Sequence, residues 1–421
     1  MKQSIPVYIG KNAIAELIAY CKLNGLDKFV LVADQNTYAA MGKSVEDALK
    51  AAQFDVIVVV LSGDEVIADE RYVVQVLTQV DRADRMYLAI GGGTLTDISR
   101  FVSHRTRNNF IALPTAPSVD GFTSLGAPLV VAELKQTFIC HAPSALFADL
   151  GTLCAAPQRL IAAGFGDMIG KILSVSDWKL GHVLGDEPYD EQIAQQFLTA
   201  AQASAADARA IGARAEEGVR TLIAGLIESG FGMLDFGNSA PASGAEHHMS
   251  HFWEMKLLRE RRPAILHGAK VGLASILTAQ RYQTIKQLSR EQVAKQMQWS
   301  RLPPREQQIC DIRRAYGSIA EEIIKAHHPF LDLNEQRFDL LRQRIVARWD
   351  QVQAIASQVP APQQLIDWLE LVDGPVDGGG IGLSNSEIAL ALEFSHYLRN
   401  RFTINKLWFM LDLPPASTRG N

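Results

Sequence analysis

Gly244-Ala245-Glu246-His247-His248-Met249-Ser250-His251, followed by His267-Gly268, is the part of this 421-residue chain best equipped for chemistry. His247 and His251 stand one helical turn apart, so on a helix both imidazoles leave the same face. A third histidine follows at a glycine-bearing turn. Imidazoles gathered in this way, completed by a carboxylate from elsewhere, hold divalent transition metals. An open coordination position on such a metal gives Lewis-acid catalysis, so a metal here implies an enzyme. A His-x-x-x-His pair on its own is also common on solvated helix faces. The zinc-protease arrangement is excluded: it needs glutamate as general base directly after the first histidine, and His248 occupies that position.

A second set of residues suits a nucleotide. Gly91-Gly92-Gly93-Thr94 with Asp97 follows an apolar run and opens a helical pattern. Glycines let the backbone approach a bulky anion, and a helix N-terminus offers unpaired N–H groups to phosphate. This is not the Gly-x-Gly-x-x-Gly fingerprint, and it follows the fourth strand rather than the first; a tight strand-to-helix turn is the plain alternative. Asp34 ends the second predicted strand, where a carboxylate can bind a ribose 2′-hydroxyl and repel a 2′-phosphate. It can equally cap the helix that follows. The loop Leu113 to Ser124 is dense in turn formers and small hydroxyls, and it carries Asp120.

Alternating elements must position these residues. Pro6–Gly10, Phe29–Asp34, Val56–Leu61, Met86–Ile90 and Phe110–Leu113 read as strands, with helical pattern between them, as from Asn12 to Lys22. Strict alternation predicts a doubly wound, mainly parallel α/β sheet. Gly126 to Ala142 reads as a hairpin around Glu133-Leu134-Lys135. After about Leu150 strand signals cease, and Pro157 to Leu411 reads as helix after helix. The expected division is an α/β dinucleotide-binding domain over 1–150 and an all-α metal- and substrate-binding domain over 151–421.

Composition narrows the class further. With 48% apolar and 21% charged residues the chain is an ordinary globular one. A net charge of −5 gives no general electrostatic reason to bind nucleic acid or an anionic membrane. Four scattered cysteines without Cys-x-x-Cys fit reduced thiols and a cytoplasmic location. The start, Met1 to Pro6, lacks the apolar core of a signal peptide, and no apolar run reaches membrane-spanning length.

Taken in order, Gly91-Gly92-Gly93-Thr94 with Asp97, Pro114–Gly121, Gly164-Phe165-Gly166-Asp167, Gly244 through His251, and His267-Gly268 resemble the sn-glycerol-1-phosphate dehydrogenase family, in its AraM-type bacterial branch. That family stands within the superfamily of iron-type alcohol dehydrogenases, glycerol dehydrogenases and dehydroquinate synthases. The resemblance runs to about Tyr282 and resumes at Ile381 to Leu413; about Glu291 to Gly380 matches nothing placed. It implies a dehydroquinate synthase-like fold and one divalent ion, Zn²⁺, Ni²⁺ or Fe²⁺, held by Asp167, His247 and His267. From the residues alone, Asp167 follows Gly-Phe-Gly at an expected helix start, where it would be an N-cap.

The resemblance further implies that His251 and Asp120 meet the substrate and that Thr115, Ser118 and Ser124 meet NAD(H), beside Asp34, Gly91, Gly92, Gly93, Thr94 and Asp97. His248 is expected to be structural, and Arg259, Arg261 and Arg262 a solvated face. The implied reaction is the NADH-linked interconversion of dihydroxyacetone phosphate and sn-glycerol 1-phosphate, a precursor of phospholipids or unusual glycerides, with a homo-oligomer left open. A polyol dehydrogenase acting on an unphosphorylated substrate is the nearest rival. A dehydroquinate synthase-like lyase is a weaker one, because it expects glutamate at Asp167.

Overall fold

The computed structural model describes residues 5–414 except Asp64 and 132–133, so Met1–Ser4 and the hairpin tip at Glu133 lie outside it. Eight strands occur among the described residues: β1 (Val7–Gly10), β2 (Lys28–Asp34), β3 (Asp55–Leu61), β4 (Met86–Ile90), β5 (Phe110–Leu113), β6 (Gly126–Val131), β7 (Leu134–Ile139) and β8 (Ala145–Asp149). Six of them form a parallel sheet in the order β1-β8-β5-β4-β2-β3, and β6 and β7 pair antiparallel as the predicted hairpin. β8 is an addition to the strands read from sequence. It is a short buried run inserted between β1 and β5, and Asp149 at its end caps the next helix through Thr152 N–H at 2.8 Å.

The sheet is buried on both faces, which explains its nearly continuous apolar strands. Val30, Val32, Tyr87 and Ala89 point into one apolar cluster, and Phe29, Leu31, Met86, Leu88 and Ile90 into the other. β2, β4 and β5 lie side by side, so the segments after Asp34, Ile90 and Leu113 emerge together at the carboxyl end of the sheet. The chain runs from β2 outward to β3 and returns to the other side of β2 as β4. Such a reversal is where open α/β sheets bind ligands.

From Leu150 onward every regular element among the described residues is helical. By internal contacts the chain forms two compact units, Met1–Met168 with Ala206–Asp235, and Ile169–Ala205 with Phe236–Asn421. This differs from a simple boundary at residue 150. The reason is partly apolar: the helix Glu216–Phe236 buries Val219, Ile223 and Ile227 in the same cluster as the sheet residues. No helix among the described residues is long and apolar enough to cross a membrane.

One buried cation holds the loop after β5. Arg100, on the helix Gly93–Arg105, has no exposed surface. It pairs with Asp97 at 2.9 Å and donates to the carbonyls of Gly121, Phe122 and Gly126 at 2.7, 3.0 and 2.7 Å. Removing the guanidinium leaves these acceptors buried and unmet. Arg100→Met is expected to lower unfolding free energy by about 3–5 kcal/mol, the usual effect of breaking a buried charged network. Denaturant titration by circular dichroism reads it, and a change within ~0.5 kcal/mol would show that the loop holds itself.

Candidate metal centre and cofactor turn

Four helices build the metal-donor region and its surroundings. They are labelled α1 (Gln158–Gly185), α2 (Ala245–Arg259), α3 (His267–Gln287) and α4 (Ile404–Met410). Asp167 lies well inside α1, which corrects the expected helix start and N-cap role. Of the two glycines before it, neither breaks the helix, and Gly164 is a close-approach position. A Cβ on Gly164 would come within 1.6 Å of the Pro117 carbonyl oxygen, so the helix can touch the 114–121 loop only through glycine. On the next turn a Cβ on Gly170 would come within 2.6 Å of Val271 of α3.

Asp167, His247 and His267 each offer one ligand atom, all within 4.8 Å of one another. Tetrahedral ligands at bond lengths near 2.1 Å sit about 3.4 Å apart, so small side-chain adjustments close this set around an ion. One carboxylate and two imidazoles suit Zn²⁺, Ni²⁺ or Fe²⁺ and leave coordination positions open. Asp167 and His247 are buried, and His267 is half-buried as the first residue of α3. Three imidazoles gather here: the His267 ring centroid is 5.2 Å from that of His247 and 5.5 Å from that of His251.

Carboxylates orient the rings. His247 Nδ1 is 2.7 Å from Glu246 Oε1, which also accepts from Gly244 N–H at 2.8 Å. An N–H held at Nδ1 directs Nε2 to a metal. Glu254 Oε2 is 3.0 Å from His251 Nδ1, and Lys270 Nζ stands 3.4 Å from Glu254 Oε1. Asp177 fixes the start of α2. Its Oδ2 accepts from Ala245 N–H at 2.7 Å, and its Oδ1 accepts from Tyr282 O–H at 2.6 Å and Ile404 N–H at 2.7 Å. Burial, and then the nearby Glu246 carboxylate, push Asp177 up to about 7. A side chain on Gly244 would collide with both acids, at 2.7 Å from Glu246 and 2.8 Å from Asp177.

Asp120 also belongs to this region. Its backbone N–H donates to Asp167 Oδ2 at 3.1 Å, and Ser229 Oγ donates to its own Oδ2 at 2.9 Å. Glu246, Asp177, Tyr282, Glu254, Lys270 and Ser229 are absent from the sequence-derived set. Glu254 was within reach of helical spacing, three residues after His251. Ser229 and Tyr282 carry no local signal. His248 is buried. Arg259 and Arg262 depart from the solvated face expected of them: Arg259 donates to the Ala315 carbonyl, and Arg262 pairs with Glu260 and Glu387.

The glycine turn leads from β4 into the helix Gly93–Arg105, with Gly92 as its N-cap. Added Cβ atoms would stand 3.3 Å from Ser118 Oγ at Gly92 and 3.0 Å from Val119 at Gly93. The turn therefore packs against the 114–121 loop and needs small residues there. Thr115 and Ser118 are buried at this contact, while Ser124 Oγ donates to the Gly121 carbonyl. Thr94 is half-buried. Asp97 serves Arg100, and burial pushes its carboxyl up to about 7 against the pull of that guanidinium. Asp34 does cap a short helical turn, accepting from Thr37 N–H at 2.7 Å while Thr37 Oγ1 accepts from Asp34 N–H at 3.0 Å.

A family model for iron-containing alcohol dehydrogenases matches residues 8–157. A glycerol-1-phosphate dehydrogenase [NAD(P)+] from Geobacillus stearothermophilus is 35% identical over 409 residues, covering 96% of this chain and 92% of its own. The chain belongs to the glycerol-1-phosphate dehydrogenase family. An enzyme of that name from Pyrococcus furiosus is 36% identical over 274 residues, covering 65% of this chain and 77% of its own. The longer alignment necessarily includes most of the helical stretch from about Glu291 to Gly380, which this member therefore shares with its bacterial relative. Sulfoacetaldehyde reductase from Bifidobacterium kashiwanohense, solved with NAD+, shares the fold at a TM-score of 0.60, with 15% identity over 99% of this chain and 98% of that one.

Glu246→Gln keeps the shape of the side chain that supports His247 but removes its charge. Loss of such a supporting carboxylate typically weakens metal binding 10–100-fold. Chelator competition with Zn²⁺ is expected to show a drop in this range, and His247→Ala a far larger one. Unchanged affinity in both would remove His247 from the ligand set.

Proposed function

We propose that this chain interconverts dihydroxyacetone phosphate and sn-glycerol 1-phosphate with NAD(H), using a divalent ion held by Asp167, His247 and His267. The observation that carries this reading is the convergence of those three donors in a chain aligned almost end to end with enzymes of that name. A divalent ion at these donors supplies Lewis-acid polarisation of the substrate oxygen. The nicotinamide supplies the hydride, and the protein supplies position and electrostatics. Gly91, Gly92, Gly93 and Thr94 receive the pyrophosphate at the helix N-terminus, with Thr115, Ser118 and Ser124 beside it and Asp97 steadying the loop through Arg100. Asp34 meets the ribose, compatible with its capping bond because only Oδ1 is used there.

His251 handles the proton. With Nδ1 held by Glu254, its Nε2 exchanges a proton with the substrate oxygen, and Lys270 steadies Glu254. Asp120, oriented by Ser229, accepts from a substrate hydroxyl. The four unpaired cysteines fit a cytoplasmic setting.

Steady-state assay of the metal-loaded enzyme tests this directly. Dihydroxyacetone phosphate is expected to be reduced far better than dihydroxyacetone, in kcat as well as KM, because remote binding energy acts at the reacting carbon. The product should be invisible to a dehydrogenase specific for the sn-3 isomer. Equal use of the unphosphorylated ketone would make this a polyol dehydrogenase. His251→Ala should keep the metal and lose ~10²–10⁴-fold in kcat, the usual contribution of general acid–base catalysis. NADH should be preferred over NADPH, and Asp34→Gly should narrow the gap; equal use by the unaltered enzyme would leave Asp34 as a cap only.

A further inference from the structure

The turn Ala240–Ser243, just before α2, has no helical or strand bonding, yet each of its carbonyls is met by a side chain. Pro241, Ala242 and Ser243 are buried, and buried carbonyls must find donors. Arg401 Nη1 donates to the carbonyls of Ala240 and Ser243 at 3.3 and 2.8 Å. Ser174 Oγ donates to that of Pro241 at 3.0 Å, and Lys171 Nζ to that of Ala242 at 3.4 Å. The next two N–H groups go to acids, Gly244 to Glu246 and Ala245 to Asp177.

Arg401 differs from the other donors in what it joins. Ser174 and Lys171 lie on α1, and each meets one interior carbonyl of the turn. Arg401 meets the first and the last, so it closes the turn across its ends. Its guanidinium stays charged, and hydrogen bonds from a charged donor are roughly twice as strong as neutral ones. The backbone beside Arg401 is itself fixed. Phe402 N–H donates to Glu187 Oε1 at 2.6 Å and Ile404 N–H to Asp177 Oδ1 at 2.7 Å. Asp177 therefore holds Ala245 with one oxygen and Ile404 with the other, while Arg401 holds Ser243. Together they bracket the entry to α2, whose third residue is His247.

We propose that Arg401 is a positioning residue of the metal centre: by closing the Ala240–Ser243 turn it sets where α2 begins, and so where His247 presents its ring. The inference rests on the reading above that His247 is a metal ligand. Arg401 acts through the backbone and touches neither ion nor substrate. Gly244, the link between turn and helix, has no side chain to stiffen it, so the entry to α2 is rigid through bonds to its neighbours. Ordering a loose donor when the ion arrives subtracts from affinity, whereas a donor already held in place keeps it.

The test compares full-length Arg401→Ala, Arg401→Lys and Ser174→Ala with a control of matching geometry. Arg342 Nη1 donates to the carbonyls of Met297 and Ser300 at 3.1 and 2.8 Å, the same first-to-fourth clip on a different turn. Chelator competition with Zn²⁺ is expected to show a loss of ~10–100-fold in Arg401→Ala, the range for residues that support a ligand from behind. Arg401→Lys should recover part of it, and Ser174→Ala should lose less. Arg342→Ala should lower unfolding stability and leave Zn²⁺ affinity unchanged. In the metal-free proteins, amide hydrogen exchange from Ala242 to His248 should quicken in Arg401→Ala and not in Arg342→Ala. Full Zn²⁺ affinity in Arg401→Ala, or an equal loss in Arg342→Ala, would overturn the assignment. If Arg401→Ala does not fold, unchanged affinity in both Arg401→Lys and Ser174→Ala overturns it as well. His247→Ala separates the two readings. If that variant keeps Zn²⁺, His247 is no ligand and the inference falls with it; if it loses Zn²⁺ while Arg401→Ala keeps it, the ligand set stands and the turn holds itself.

Discussion

Asp177 is the buried carboxylate on which the placement of His247, His251 and His267 depends. It holds the first turn of α2 through Ala245, α3 through Tyr282 and the start of α4 through Ile404. Helix termini leave N–H groups unpaired, and burying them without acceptors is prohibitive. A single acid that meets two backbone donors and one phenol therefore fixes three helices relative to one another. It stands close to Glu246, a second buried acid whose other task is to orient His247. Gly244 is small because both acids crowd the space its side chain would fill.

Close approach is the second constraint. Gly164 admits the Pro117 carbonyl, Gly170 admits Val271, and Gly92 and Gly93 admit the Ser118–Val119 segment. Each contact joins a segment with proposed cofactor or metal residues to a neighbouring segment. The loop after β5 is held from one side by Arg100 and meets α1 on another, so Asp120 reaches Asp167 through its own N–H. A loop of small polar residues acquires a fixed shape because its carbonyls are acceptors for one buried guanidinium.

Acids flank α2. Acids lie behind the metal donors: Glu246 and Asp177 at the start of the helix and Glu254 under His251. Acids beside imidazoles favour binding of a cation.

The sequence alone determined whatever depends on near neighbours. Apolar runs of strand length, broken by helical pattern, were enough for the parallel sheet, because a strand buried on both faces must be apolar throughout. Helical spacing put His247 and His251 on one face, and it could have reached Glu254 as well. The glycines before Asp167 misled, since locally they break helices, whereas here α1 runs through them and Gly164 lets another backbone approach. Asp167 itself was reachable only through family resemblance; nothing near it says that His247 and His267 will be its partners. Tertiary structure decided the rest. Asp177 with Tyr282 and Ile404, and Ser229 with Asp120, are meetings of residues 105 to 227 positions apart. Such pairs share no period or spacing, because their proximity comes from how helices pack after they have formed.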